Sequence, residues 1–334
     1  MPIINKKYQE LQLTDEYITD PLLMALAWKK SHHYIRTTNW YADNFELDLS
    51  ALDLMQHCKD WVKRMQDKKE FKFSELQLVP VPKACKWEFK TVENKVLWQP
   101  CDEKELTLRP LAHIPIAEQT IMTLVMMCLA NTIETKQGNP DTSYDIVHQK
   151  GIVNYGNRLY CQYIDDKAEH SFGATVTYSK YFTDYRKFLN RPYHFASKAQ
   201  SEISPDEAVY IIELDLAKFF DLVNRKTLIQ KIKSHISEPI NNKENPLINH
   251  LFKCFTNWDW TASSIKNYGL CKSDEVKEIP KGIPQGLVAA GFFSNIYLLE
   301  LDLFLQNKIN TNIADNIKLI DYCRYVDDMR LVVK

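Results

Sequence analysis

The sequence predicts an α+β fold, and three stretches predict it. Val209-Tyr210-Ile211-Ile212-Glu213-Leu214-Asp215 is a continuous apolar run rich in strand-forming residues, the pattern of a buried strand. Leu287 to Ile309 is a long apolar helix pattern. Two β-type runs, Leu319–Arg324 and Met329–Val333, then flank Tyr325-Val326-Asp327-Asp328 and read as a hairpin with two carboxylates at its tip. Strand, helices, long helix and hairpin in that order is an α+β arrangement.

Upstream, helices are predicted over Asp15–Asp43, with Pro21 near a helix start, and over Leu49–Met65. Leu76 to Leu108 reads as β-rich; Pro80 and Pro82 put Leu78–Pro82 at an edge, and Trp87–Lys90 forms another short strand. Helices follow at Ala117–Glu134 and Ala174–Leu189, separated by the turn cluster Gly138–Asp141 and an irregular or extended stretch, Tyr144–Asp166. Beyond the apolar strand, helices are expected at Leu222–Ile236 and Asn249–Trp258, and a hairpin at Gly269–Ile279. Domain limits are drawn at 1–75 for a helical N-terminal extension, 76–200 and 201–334.

The chain has 334 residues, 45% hydrophobic and 25% charged, enough for two or three subdomains. Net charge is −1, which counts mildly against a nucleic-acid binder, since most carry excess Lys and Arg. Lys180, Arg186, Lys187 and Arg191 nevertheless alternate with Tyr178, Tyr181 and Tyr193, a pattern that suits phosphate contact with base stacking; an amphipathic helix with its rings packed inward is the favoured reading. The longest apolar run, Ile121–Ala130, is too short to span a bilayer, the N-terminus lacks a signal-peptide pattern, and eight scattered cysteines read as reduced thiols. A cytoplasmic location without membrane association follows as the expectation.

Adjacent carboxylates repel and ionise together only with a cation between them. Two Mg²⁺ ions fit that need, and Asp215 at a strand end is the third candidate ligand beside Asp327 and Asp328. Asp215 as a helix cap is the plainer alternative. Phe220 is placed to lie beneath a nucleotide sugar and exclude a 2′-hydroxyl, unless it and Phe219 simply face the core. Gln285, inside Lys281-Gly282-Ile283-Pro284-Gln285-Gly286, is a candidate nucleotide contact, because flanking glycines let backbone approach a ligand. Arg109 is the first candidate for a triphosphate clamp, with Lys95 or Lys104 assisting and Arg158 as a further cation; for each lysine an ordinary surface role is the better expectation.

In this order the motifs resemble those of reverse transcriptases. Arg109–Pro115 and Tyr155-Gly156-Asn157-Arg158-Leu159 resemble the two fingers motifs, Glu213–Asp221 the palm motif with the first metal aspartate, Gly282–Asn295 the template- and nucleotide-contacting motif, and Tyr325–Asp328 the Tyr-x-Asp-Asp box. The resemblance implies a right-hand fingers–palm architecture, with residues 76–200 as fingers and 201–334 as palm. A thumb is not legible in this chain, which ends six residues past Asp328, and more sequence is expected to follow in the native protein. Tyr-Gly-Asn-Arg-Leu in place of Tyr-Gly-Phe-Arg, together with Met329–Val333 after the aspartates, is similar to the bacterial abortive-infection and defence-associated members.

What the resemblance implies is RNA-directed DNA synthesis in antiphage defence, using Mg²⁺, deoxynucleoside triphosphates, an RNA template and a DNA primer. An associated non-coding RNA and a homo-oligomer are further expected partners. Template-independent or protein-primed synthesis, a non-catalytic RNA-binding scaffold, and a housekeeping intron or retron enzyme are the alternatives.

Overall fold

The computed structural model describes residues 8, 10–38, 43–84, 87–100, 107–236, 245–270 and 279–334. The N-terminal layer is α1 (Asp15–Ile18), α2 (Pro21–Thr38), α3 (Asn44–Ala51) and α4 (Leu54–Gln66). Two predicted helices thus become four. Pro21 opens α2, where a fixed φ suits the first turn and a missing N–H costs nothing. Asp53 adopts φ 50° and separates α3 from α4. Residues 39–42, covered by the first predicted helix, lie outside the described residues. Lys30, fully buried on α2, donates to the carbonyls of Ser171, Ala174 and Val176 at 2.9, 2.9 and 3.0 Å. Burial lowers its pKa to about 8.

Next come two antiparallel ribbons, β1 (Gln77–Ala84) with β4 (Thr107–His113) and β2 (Trp87–Val92) with β3 (Lys95–Pro100). In a two-stranded ribbon every strand has a free edge, so Pro80, Pro82 and Pro110 leave no ladder partner wanting. Helix α5 (Ile116–Gln137) is apolar on all sides. By length and composition it could cross a membrane, yet it is almost wholly buried against α2, β6 and the rest of the largest apolar core. The predicted irregular stretch contains α6 (Val147–Lys150) and β5 (Cys161–Ile164), which pairs with β6 (Lys167–His170).

The C-terminal part comprises α7 (Tyr181–Gln200), β7 (Tyr210–Asp215), α8 (Phe219–Leu222), α9 (Arg225–Ser234), α10 (Pro246–Thr256), α11 (Ala262–Leu270), α12 (Ala290–Gln306), β8 (Asn312–Ala314), β9 (Ile317–Tyr325) and β10 (Asp328–Val333). Its antiparallel sheet runs β7-β10-β9-β8. Helix α7 starts seven residues later than predicted and runs through Pro192. Pro192 deprives the Phe188 carbonyl of its helical donor, and the Cys323 thiol on β9 approaches that carbonyl at 3.8 Å. The strand predicted as buried is an edge: Tyr210, Ile212 and Leu214 are exposed, because β7 pairs only with β10 and its apolar face is not covered. Of the predicted Gly269–Ile279 hairpin, Gly269 and Leu270 end α11 and residues 271–278 lie outside the described residues.

Three buried arginines tie these layers together. Arg158 pairs with Glu134, Arg191 with Asp321, and Arg324 with Asp302, all with little or no solvent exposure. Burial alone would raise the Asp321 carboxyl pKa; Arg191 and His148 outweigh it and hold the group below its usual range. Arg324 donates to both Asp302 oxygens, Nε at 2.9 Å to Oδ1 and Nη2 at 2.6 Å to Oδ2, and the Tyr322 hydroxyl adds a third bond. Removing one partner of such a pair strands a buried charge. Asp302→Ala should therefore lower unfolding free energy by about 3–5 kcal/mol in urea titrations. A loss near zero would show that Arg324 finds other compensation.

Candidate active site

The hairpin and the β7 edge set the geometry. Asp328 on β10 lies opposite Asp215 on β7, and also opposite Tyr325 on β9. Directly opposed residues in an antiparallel pair share a sheet face, so register alone brings Asp215 and Asp328 to one side. Val326 and Asp327 form the two-residue loop. Leu216 N–H donates to the Asp327 carbonyl at 3.3 Å and ties the tip to the end of β7.

Val326 has φ 57°, which a β-branched residue adopts only under constraint. Its surroundings supply that constraint. Arg324 Nη1 donates to the Val326 carbonyl at 2.8 Å. Gly156 lies flat against the turn; a methyl group there would collide with the Val326 nitrogen. Asn295 donates from Nδ2 to the Gly156 and Asn157 carbonyls at 2.9 and 3.1 Å. Tyr155 N–H and the Arg324 carbonyl join the two segments at 2.9 Å. The Tyr155–Leu159 motif is the backing of the aspartate turn.

Asp215 and Asp327 line a cleft of about 480 Å³ together with Phe220, Gln285, Lys83 and Arg109. Lys83 sits at a bulge, where the β1–β4 register passes from Pro82↔Leu108 to Ala84↔Thr107; bulges re-aim side chains. Neither Lys83 nor Arg109 has an ion pair among the described residues. Phe219 is buried in the core, whereas Phe220 is half-buried and lines the cleft, 5.4 Å from the Phe219 ring. Gln285 Nε2 donates to Asp221 Oδ1 at 3.0 Å. Gly286, at φ 119°, passes so close to the Ala112 carbonyl that a Cβ would come within 2.5 Å of its oxygen. Gln119 on α5 clasps this loop twice, donating to the Gly286 carbonyl and accepting from Val288 N–H, both at 2.8 Å.

Partial burial raises the Asp327 pKa, with the Asp215 charge adding to it and Lys83 and Arg109 opposing. Burial also raises that of Asp328, with Asp327 and Asp215 adding to it. Hard oxygen donors of one sign suit Mg²⁺. Among the described residues, however, no three acidic, His or Cys side chains are gathered at ligating distance, and Asp328 is exposed beside the cleft. The register that sets Asp215 opposite Asp328, and the mutual repulsion at Asp327 and Asp328, are compatible with a cation held by these carboxylates.

Arg158 is corrected from a nucleotide contact to a structural group. It is fully buried, its Nε donates to Glu134 Oε2 at 2.8 Å, and its remaining nitrogens reach the carbonyls of Asn154 and Gly138 and the Tyr163 hydroxyl. Lys95 stays on the β2–β3 ribbon, outside the cleft lining, and Lys104 lies outside the described residues. Sequence reasoning missed Lys83, Tyr34 and Thr38. The first becomes visible only through strand register, and the other two arrive on α2, with no motif to mark them.

Both raised carboxyls bind protons more tightly folded than unfolded. Their unfavourable contribution therefore grows as pH rises from the unfolded pKa to the folded one and vanishes below both. Without divalent cations, Asp327→Asn with Asp328→Asn should melt above the parent at pH 8 and approach it below about pH 3. Mg²⁺ should raise the parent's melting temperature and not the variant's. A parent indifferent to Mg²⁺ would remove the metal reading.

No curated protein matches the chain. A family model described as reverse transcriptase (RNA-dependent DNA polymerase) matches residues 182–334. The match includes Asp215, Phe220, Gln285, Asp327 and Asp328, and begins after Arg109 and the Tyr155–Leu159 segment. The β7–β10–β9 sheet with its paired carboxylates thus lies within the residues that the reverse transcriptase family model matches.

Proposed function

We propose that this chain is an RNA-directed DNA polymerase of bacterial antiphage defence, acting in the cytoplasm. The observation that carries the reading is the facing of Asp215 and Asp328 across β7 and β10, beside a cleft that Asp215, Asp327, Lys83 and Arg109 line together. In this reading Asp215, Asp327 and Asp328 hold two Mg²⁺ ions, which would acidify a primer 3′-hydroxyl and neutralise departing pyrophosphate. Lys83 and Arg109 hold the triphosphate. Phe220 lies against the sugar and disfavours a 2′-hydroxyl. Gln285, positioned by Asp221, contacts the nucleotide. Template RNA and DNA primer are the partners this chemistry requires. The defence role is supported by Tyr155-Gly156-Asn157-Arg158-Leu159 and the residues after Asp328.

Primer extension on an RNA template tests the reading. Asp327→Asn with Asp328→Asn should cut incorporation on the order of 10³-fold, as expected for losing several kcal/mol of metal stabilisation. Sustained synthesis would refute the site. Phe220→Ala should raise the use of ribonucleotides relative to deoxynucleotides by about 10-fold or more, measured as a ratio of kcat/KM values; an unchanged ratio would leave Phe220 a packing residue. Lys83→Ala should raise KM for the nucleotide and leave kcat nearly unaltered. Defence that survives loss of the aspartates in infected cells would overturn the catalytic account of that role.

A further inference from the structure

A second compartment, about 310 Å³, lies behind Tyr325 and shares Tyr34, Thr38, Asn157 and Tyr178 with the main cleft. Its far wall is the last turn of α2. We propose that it receives one unpaired base of the nucleic-acid strand entering the cleft, an inference that rests on the polymerase reading above.

The lining chemistry points to a base. Four tyrosine rings wall the compartment, with Tyr34 against Tyr178 and Tyr181 against Tyr325 edge to face at 5.4 and 5.8 Å. Between them lie neutral polar groups: Asn157, and the hydroxyls of Thr37, Thr38 and Ser179, which donate to the His33 carbonyl, the Tyr34 carbonyl and Asp184 and keep acceptor lone pairs. Thr177 is buried in the wall, and its hydroxyl has no partner among the described residues. Of the ionisable groups in the lining, Arg158 is engaged by Glu134 and Asp184 by Ser179 and Lys187, which leaves His33. Flat aromatic walls with uncharged polar atoms suit a nucleobase. A phosphate would go instead to Lys83 and Arg109.

The approach to the compartment fits an unpaired strand. Tyr181 and Ser179 stand at the start of α7. From there Phe182, Arg186 and Tyr193 fall within roughly 40° of one another around the helix, at 3.6 residues per turn, and all three are exposed. The inward packing expected from the sequence holds for Phe188 and partly for Tyr185. Phe182 is 81% exposed. Exposed rings beside an exposed guanidinium suit single strands, whose bases are available to stack; a duplex hides its bases. In polymerisation the primer end is paired, so the unpaired strand is the template.

The test uses a DNA primer on an RNA template with a 5′ overhang, moving one abasic residue along the overhang. Binding is read by fluorescence anisotropy without nucleotides. One position among the first few unpaired residues should weaken binding by about 10-fold when abasic, as expected for losing one stacked base, and the other positions should have little effect. Thr37→Trp at the exposed mouth, and Tyr181→Ala in the wall, should each erase that position dependence. A uniform effect along the overhang, dependence retained in both variants, or no binding of the primer–template would each overturn the proposal. Position dependence in a chain that never incorporates nucleotides would refute the polymerase reading and leave the compartment standing. Incorporation without position dependence would do the reverse.

Discussion

The arrangement of the site depends on the buried pair between Arg324 and Asp302. The same guanidinium that meets both Asp302 oxygens also holds the carbonyl of Val326. A left-handed β-branched residue costs on the order of 1–3 kcal/mol and persists only when its surroundings over-determine it. Here they do: Arg324 pulls on the turn from inside, and Gly156 closes against it from the Tyr155–Leu159 segment, fixed in turn by Asn295. Asn295 Oδ1 also faces Arg324 at 3.3 Å, so the two supports form one network. The placement of Asp327 follows from a charge pair within the core. The turn's own conformational preference would not produce it.

That network explains how a chain of net charge −1 can present a polarised cleft. Three arginines are withdrawn into buried pairs and contribute nothing to the surface field. Lys83 and Arg109 have no ion pair among the described residues and line the same cleft as Asp215 and Asp327, and they are the cations that draw Asp327 back toward ionisation. Overall charge averages these opposite signs away. A ligand that is both polyanionic and accompanied by divalent cations matches both signs at once, as a nucleoside triphosphate with Mg²⁺ does.

The sequence was legible where a structural feature is local to one segment. Asp-Asp at a hairpin tip, Asp215 at a strand end and the glycine-flanked Gln285 each announce themselves within a few residues, and strand periodicity makes the pairing of Asp215 with Asp328 a natural register. Legibility ended where a partner lies far along the chain. Arg158 looked available because Glu134, which claims it, sits on α5 twenty-four residues earlier. In that motif Gly156 lies against the aspartate turn, and the arginine has gone inside. Lys83 owes its position to a bulge that only the opposite strand reveals. The apolar run of β7 looked buried because composition does not distinguish a central strand from an edge whose face is uncovered.

The same reasoning changes the status of the N-terminal layer. Helix α2 is docked by a buried ammonium on three backbone carbonyls of residues 171–176, and by the Ser31 hydroxyl on Thr123 of α5 at 2.8 Å. Burying Lys30 is costly, and its lowered pKa records that cost; the three bonds offset it only while α2 and this loop keep their relative positions. The segment that follows the loop pairs with residues 158–160, just ahead of β5, through Tyr160 N–H to the Thr177 carbonyl and Ser179 N–H to the Arg158 carbonyl. Tyr34 and Thr38 therefore reach the cleft on a helix whose position is fixed by the elements that form its walls. A layer attached in this way is structurally part of the site: it carries Tyr34 into the cleft lining and against the Tyr178 ring at 5.4 Å.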